Sequence, residues 1–446
     1  MRHGRFMLTA IALATAVLAG AAHAQTAEQL RDALAQAQAA AAAAQEAARQ
    51  AQAALAQAVA AADRAKQSSV AAASETTSTG GTTVNGLTVS RGASSATLYG
   101  LIDITLISKN HANAAGNTLT SPQVAWFSGN RWGLTGQHLI GGQGDLKAIF
   151  RLESEFESQT GNLDTAGVLF NRDAWLGLES KSLGKLTFGR QNALARDPAG
   201  SAVYGDPYGP AKANLEEGGY TNNNNFKQLI FYAGSATGTR YDRGVVWKKE
   251  WDNVVSGLAY QFGGVPGSFS TGQTATGSLA YNGSNFTVAG FVTQADVAKL
   301  KHRTESIGGN VQLGPLVRVN AGYFHYTAEQ GGAFGQRKDN AYTVSTKLTP
   351  SGQFDYELGY QIMSASNAGL TGSGFVQNAF SDTSGIHAVA TGKRKTLYGS
   401  AFWHMDKSTE FYVAADRLKT TGGYKASQAN GFTSQTELGL GMRYKF

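Results

Sequence analysis

The sequence predicts an all-β fold: a sixteen-stranded antiparallel barrel that crosses a membrane, holds one loop folded inward, and follows an α-helical coiled-coil segment. Three observations carry that prediction. From Ala96 onward apolar residues recur with period two, with clusters of Gly, Asn and Asp between the segments. The final segment sets Leu438, Leu440, Met442, Tyr444 and Phe446 on one face and Glu437, Gly439, Gly441, Arg443 and Lys445 on the other. Connections alternate between short and long, the asymmetry of a barrel with turns at one end and loops at the other.

Residues 1–24 have a basic start (Arg2, His3, Arg5), an apolar core from Phe6 to Leu18 and a small-residue end, Ala22-His23-Ala24. The core is shorter than the roughly 20 residues that span a bilayer, so the segment reads as a secretory signal. Residues 25–73 are Ala- and Gln-rich without Gly or Pro, a composition that favours helix. Steps of four and three from Leu30 through Leu34, Ala37, Ala41, Ala44, Ala48, Ala51, Leu55, Ala58 and Ala62 trace an apolar seam suited to a coiled coil. Residues 74–94 turn to Ser, Thr and Gly and read as a flexible linker ahead of a barrel over 95–446.

Within the barrel the expected strands are 96–108, 130–139, 145–157, 171–181, 184–190, 240–250, 253–262, 274–282, 285–294, 304–313, 316–326, 340–348, 354–364, 394–405, 409–418 and 435–446. An even number returns both ends to the periplasmic side. In the first of them Leu98, Gly100, Ile102, Ile104 and Leu106 form the outer stripe. The longest connection, 191–239, contains the apolar run Gln228-Leu229-Ile230-Phe231-Tyr232. Counting that run as a strand would make the total odd, so it belongs to a loop bent into the barrel.

Composition narrows the function. There is no Cys among the 446 residues, which excludes thiolate metal sites, cysteine nucleophiles and disulfides. Charged residues are 15% of the chain, Gly numbers 55 and Pro 7, and mean hydropathy is −0.24. No run after the signal is long and apolar enough for a membrane helix, but strands that face lipid on one side and water on the other escape that test. The net charge of +7 is spread thinly, with 31 basic and 26 acidic residues after position 93, too dispersed for a nucleic-acid interface. His111, His138, His302, His325, His387 and His404 stand in no hydrolase or metal-ligand spacing, so no enzyme activity, metal or cofactor is expected.

Several pieces resemble the general diffusion porins of the bacterial outer membrane. They are Ala96-Thr97-Leu98-Tyr99-Gly100 with Asp103, Asn130-Arg131-Trp132-Gly133-Leu134-Thr135-Gly136, and Leu146-Lys147-Ala148-Ile149-Phe150-Arg151-Leu152-Glu153-Ser154. Asn171-Arg172-Asp173-Ala174-Trp175-Leu176-Gly177-Leu178, Leu186-Thr187-Phe188-Gly189-Arg190-Gln191 and the terminal Phe446 complete the set. The resemblance implies a homotrimer in outer-membrane lipid, each barrel passing small hydrophilic solutes and ions through a water-filled lumen, with an anion preference where arginines line it. A channel selective for anionic nutrients such as carboxylates, or a structural protein reaching the cell-wall layer through residues 25–73, are the alternatives.

By motif, the resemblance also places Arg131, Arg172 and Arg240 in a ladder of wall arginines opposite loop carboxylates. Arg151 and Glu153 fall on the lumen side of the third strand, whose lipid face is Leu146, Ala148, Phe150 and Leu152. The family's Pro-Glu-Phe-Gly element in the third loop is missing here, so Asp197, Asp206, Glu216 and Glu217 are all candidates for the opposing acids. Physics supports the arginines independently: facing lipid at mid-membrane costs a charge about 2–4 kcal/mol, so a strand arginine opposite an apolar stripe points inward. The plainer alternative is that they only pair with carboxylates in the wall. Arg190 shares parity with Leu186 and Phe188 and is expected at the rim. Tyr99, Trp126, Trp132, Trp175, Trp247, Trp251, Trp403, Tyr412 and Tyr444 suit interfacial girdles.

Overall fold

The computed structural model describes residues 86–446 except 125–128, 143, 201–231, 333, 372–373 and 377–378. The signal (1–24), the coiled coil (25–73) and the linker up to residue 85 therefore lie outside the described residues, as does Trp126.

The first described strand, β1 (Gly86–Arg91), turns at Gly92 into β2 (Ser94–Lys109). A short β3 (Leu119–Val124) lies in the first long connection, followed by β4 (Arg131–Leu139), β5 (Lys147–Glu155), β6 (Asp173–Ser180) and β7 (Gly184–Asn192). After a five-residue helix, α1 (Arg196–Gly200), come β8 (Arg240–Trp251), β9 (Val254–Gln261), β10 (Thr274–Asn282) and β11 (Phe286–Val297). The rest of the wall is β12 (Leu300–Leu313), β13 (Val317–Ala328), β14 (Arg337–Ser351), β15 (Phe354–Thr371), β17 (Ala388–His404), β18 (Thr409–Thr420) and β19 (Ser434–Lys445). A two-residue β16 (Gly374–Phe375) and the helix α2 (Tyr424–Ala429) sit in loops.

Each neighbouring pair around the wall is antiparallel, and β19 pairs with β2 through Leu440↔Leu106 and Gly441↔Thr105, so the sheet closes on itself. Leaving out β1, β3 and β16, the closed ring has the sixteen strands expected, and every expected strand is present. Closure matters because a strand edge facing lipid would leave backbone groups without hydrogen-bond partners.

The linker reading fails for residues 86–94. Leu87 and Val89 alternate with polar residues, and β1 pairs with β2 from Gly86↔Tyr99 to Arg91↔Ser94. Its Ser and Thr content looked like a linker, but alternation decides strand formation. One loop also departs from the short–long pattern. Between β11 and β12 the loop end carries only Ala298 and Lys299, both with positive φ, as a tight hairpin turn requires.

The two faces separate sharply. Outward side chains include Leu176, Leu258, Leu279, Ile307, Leu358, Leu397, Leu438 and Leu440, all more than 40% exposed, while the residues between them are buried. A continuous apolar belt of that size is stable only in lipid. Trp251, Trp403 and Tyr444 are outward and exposed near the short-turn end, and Trp247 packs beside Trp251 with ring centroids 5.8 Å apart. Three aromatics assigned to girdles turn inward instead. Tyr99, Trp175 and Tyr412 are buried on the inner face, held by polar partners: Tyr99 donates to Glu153, Tyr412 to Asp103, and the Lys185 ammonium sits 4.7 Å from the Trp175 ring centre. A phenol or indole with a charged neighbour gains more there than at the lipid boundary.

Candidate functional site

One sector of the inner wall is built from charges. Along β5, alternation places Arg151, Glu153 and Glu155 on the inner face. Glu153 joins two arginines, bonding Arg151 through one carboxylate oxygen and Arg172 through the other. Arg172 also reaches Glu155, and Arg151 Nε lies 3.4 Å from Asp173 Oδ2. Tyr99 on β2 completes the group, accepting from Arg151 Nε and donating to Glu153 Oε2, each at 2.7 Å. Gly129 makes room for this arrangement, since a side chain there would occupy the place of the Glu155 carboxylate.

Arg131 and Arg240 border the same cluster. Arg131 Nε donates to the Gly129 carbonyl at 3.0 Å, and the side chain stands in the field of Arg172, Arg151, Glu153 and Glu155. Arg240, at the start of β8, stands in the field of Arg172, Arg196, Asp173 and Glu155. Arg196, the first residue of α1, is fixed by a 2.7 Å bond from Nη1 to Asn192 Oδ1. Five guanidiniums thus share this wall with three carboxylates.

The structure brings together Arg131, Arg151, Arg172, Arg240 and Glu153 among the residues singled out from the sequence. Asp197 does not join them. It follows Arg196 on a helix, where successive side chains diverge by about 100°, and it pairs with Lys248 on β8. Asp206, Glu216 and Glu217 lie outside the described residues. Among the described residues, the acids that hold these arginines come from the wall itself. Glu155 was legible, two positions from Glu153 on the same face; Asp173 stands inside the Asn-Arg-Asp-Ala piece; Arg196 had no signal. Arg190 lies at the rim as expected, paired with Asp242 and donating to the Asn171 carbonyl at 2.6 Å.

Across β9 to β15 the inner wall also carries an apolar patch, and it is covered. Ala195, Ala199, Tyr232 and Ala233, from the two described ends of the 193–239 connection, pack against Val255, Ala280, Ala289, Phe291 and Phe324. Both described ends of the connection therefore lie inside the barrel. Polar anchors fix it: Tyr232 donates to Asp339 at 2.7 Å, Asp339 is gripped by both arms of Arg337, and Leu194 N donates to the Tyr241 hydroxyl at 3.2 Å. Gly257 leaves room for Leu194, whose methyl groups occupy the space a larger side chain would take. Residues of the 372–387 loop also turn inward, with Phe380 N donating to the Tyr326 hydroxyl at 3.0 Å.

A closed barrel with an apolar exterior, a charged inner wall and an inward loop defines a membrane-spanning β-barrel of the pore-forming kind. The chain belongs to the Gram-negative porin family, whose model matches residues 8–423. That membership places the barrel in the outer membrane. Over 93 residues the chain is 44% identical to an outer membrane porin protein of Bordetella pertussis; the match covers 20% of this chain and 23% of that relative's length. In structure it is similar to an anion-selective porin from Comamonas acidovorans, with a TM-score of 0.59 and 19% identity over 79% of this chain and all of that one. It is also similar to OmpT of Vibrio cholerae in its trimer form, with a TM-score of 0.55 and 12% identity over 79% of this chain and all of that one. At such identities the structural likenesses speak to the fold alone.

Proposed function

We propose that this protein is an outer-membrane diffusion channel for small hydrophilic solutes and ions, with a preference for anions, and that it has no enzymatic role. One observation supports the reading above all: among the described residues, five guanidiniums, those of Arg131, Arg151, Arg172, Arg196 and Arg240, face three carboxylates in one sector of the wall, while the described ends of the 193–239 connection cover an apolar patch in another. A surplus of fixed positive charge in a passage with low-dielectric walls raises the local anion concentration without any chemistry. Arg131 and Arg240 carry most of the effect, because carboxylates of the wall neutralise much of the charge on Arg151 and Arg172.

The experiment is a planar-bilayer recording of the full chain in a KCl gradient. The expected result is a reversal potential favouring chloride, reduced in Arg131→Gln and Arg240→Gln and enhanced in Glu155→Gln. A protein that inserts without conducting, or that favours potassium, would overturn the reading. Residues 1–24 serve as the export signal in this proposal, and 25–73 as a helical segment on the periplasmic side that supports a homotrimer. Equal heat stability of cross-linked trimers with and without residues 25–73 would remove that last role.

A further inference from the structure

The outer surface at the loop end carries a feature the channel reading does not use. On β17 and β18 the outward stripe changes from apolar to basic as it nears the loops: Leu397 gives way to Lys395 and Lys393, and Val413 and Ala415 give way to Arg417 and Lys419. All four cations are exposed. Lys395 stands directly opposite Lys419 in the ladder, and Arg417 opposite Leu397. Like charges directly opposite each other on one sheet face repel. No outward position of either strand carries a carboxylate to relieve this, since Asp416 and Glu410 point inward and are buried. Flanking positions on the neighbouring strands are uncharged: Ser364 opposite Lys393, Ile362 opposite Lys395, Ser434 opposite Lys419 and Thr436 opposite Arg417.

We propose that Lys393, Lys395, Arg417 and Lys419 form a binding site for the phosphate groups of lipids in the leaflet at the loop end. The height is right for headgroups, because the exposed Leu397, Val413 and Leu438 just below the cluster mark the upper part of the hydrocarbon belt. The chemistry is right as well. A phosphomonoester brings up to two negative charges and several acceptor oxygens, and it turns the repulsion between Lys395 and Lys419 into joint attraction. Basic side chains beside an anionic membrane surface attract it within a Debye length, so the interaction weakens with salt. The same surface extends over β12 and β14, where Lys301, Arg303 and Lys338 are also outward and exposed; among the described residues Arg303 is offset by Glu305. The proposal rests on the family's orientation, with the loops facing the outer leaflet.

The test uses the full chain purified in neutral detergent and bisphosphorylated lipid A as the probe, with bound lipid counted by native mass spectrometry. The quadruple variant K393Q/K395Q/R417Q/K419Q is expected to bind at least about tenfold more weakly. K181Q, at the opposite end, and the charge-preserving K395R/K419R are expected to bind like the wild type. Dephosphorylated lipid A should bind the wild type as poorly as the quadruple variant binds the phosphorylated form, and equimolar inorganic phosphate should not displace the lipid. Retention by the quadruple variant within about twofold of wild type, equal binding of the dephosphorylated lipid, or displacement by inorganic phosphate would overturn the proposal. Conductance recorded on the same preparations tests the channel reading separately, since none of these residues faces the lumen.

Discussion

Two sectors of the inner wall are different materials. Between β4 and β8 it is a lattice of arginines and carboxylates with a hydroxyl from Tyr99, held by ion pairs. Between β9 and β15 it holds, among buried polar side chains such as Thr304 and Asn320, a patch of alanine and phenylalanine packed under the described ends of the 193–239 connection. Stability and selectivity are therefore divided in space. The apolar sector gains from burial, which is insensitive to which ion passes; the charged sector keeps guanidiniums near the lumen, where fixed charge determines what passes. Apolar packing holds the described ends of the 193–239 connection against a sector away from the arginines.

That division can be tested from either side. The largest effect is expected on the apolar sector: Phe324→Ala removes a buried ring under the loop and should cost about 3–5 kcal/mol, read as a lowered denaturation midpoint in detergent with unchanged ion selectivity. A change in selectivity of the same order as the loss of stability would merge the two sectors into one. Next is Glu153→Gln, which leaves Arg151 and Arg172 without their shared counter-ion. It should cost about 3 kcal/mol and, unlike Phe324→Ala, shift the reversal potential toward stronger anion preference. Gly257→Val drives a branched side chain into the place of Leu194, an overpacking of about 1–3 kcal/mol. Faster protease cleavage within the 201–231 stretch is the expected signature, and an unaltered digestion rate would show that the loop is held elsewhere. Smallest is Tyr99→Phe, which removes a hydroxyl shared by Arg151 and Glu153, a loss of about 1 kcal/mol with a slight change in single-channel conductance.

The sixteen wall strands were legible because each must present a lipid face and a wet face, and no other environment writes so strict a period of two over so many segments. Legibility faded where that constraint lapses. β1 projects past the point where β19 ends and is exposed on every residue, so its composition resembled a linker. β3 lies in a loop and carries a proline, Pro122, that argues against a strand. Arg131, Arg172 and Arg240 are placed by motif and Arg151 by strand parity, and the cost of burying an arginine in lipid argues for the same inward direction. Of their counter-ions, Glu153 is named from strand parity and Glu155 shares its strand face, whereas the loop candidates Asp206, Glu216 and Glu217 lie outside the described residues. For Asp197, position in the sequence said nothing about direction, because a single helical turn aims it at Lys248 and Arg196 at the arginines.

The seam along β2 has one more implication. Phe446 bonds Gly100 through both its N–H and its carbonyl, and the next partner on that edge of β2, Tyr99, is taken by Gly86. β19 and β1 run in the same direction, so the end of the chain and the first described residue line up nose to tail as if cut from a single strand. Any residue appended after Phe446 meets an occupied track and must leave the line of the sheet, whereas a peptide bridging Phe446 to Gly86 would follow a path the sheet already defines. A circular permutant of residues 86–446, opened in one of the long loops, is therefore compatible with the same closed ring.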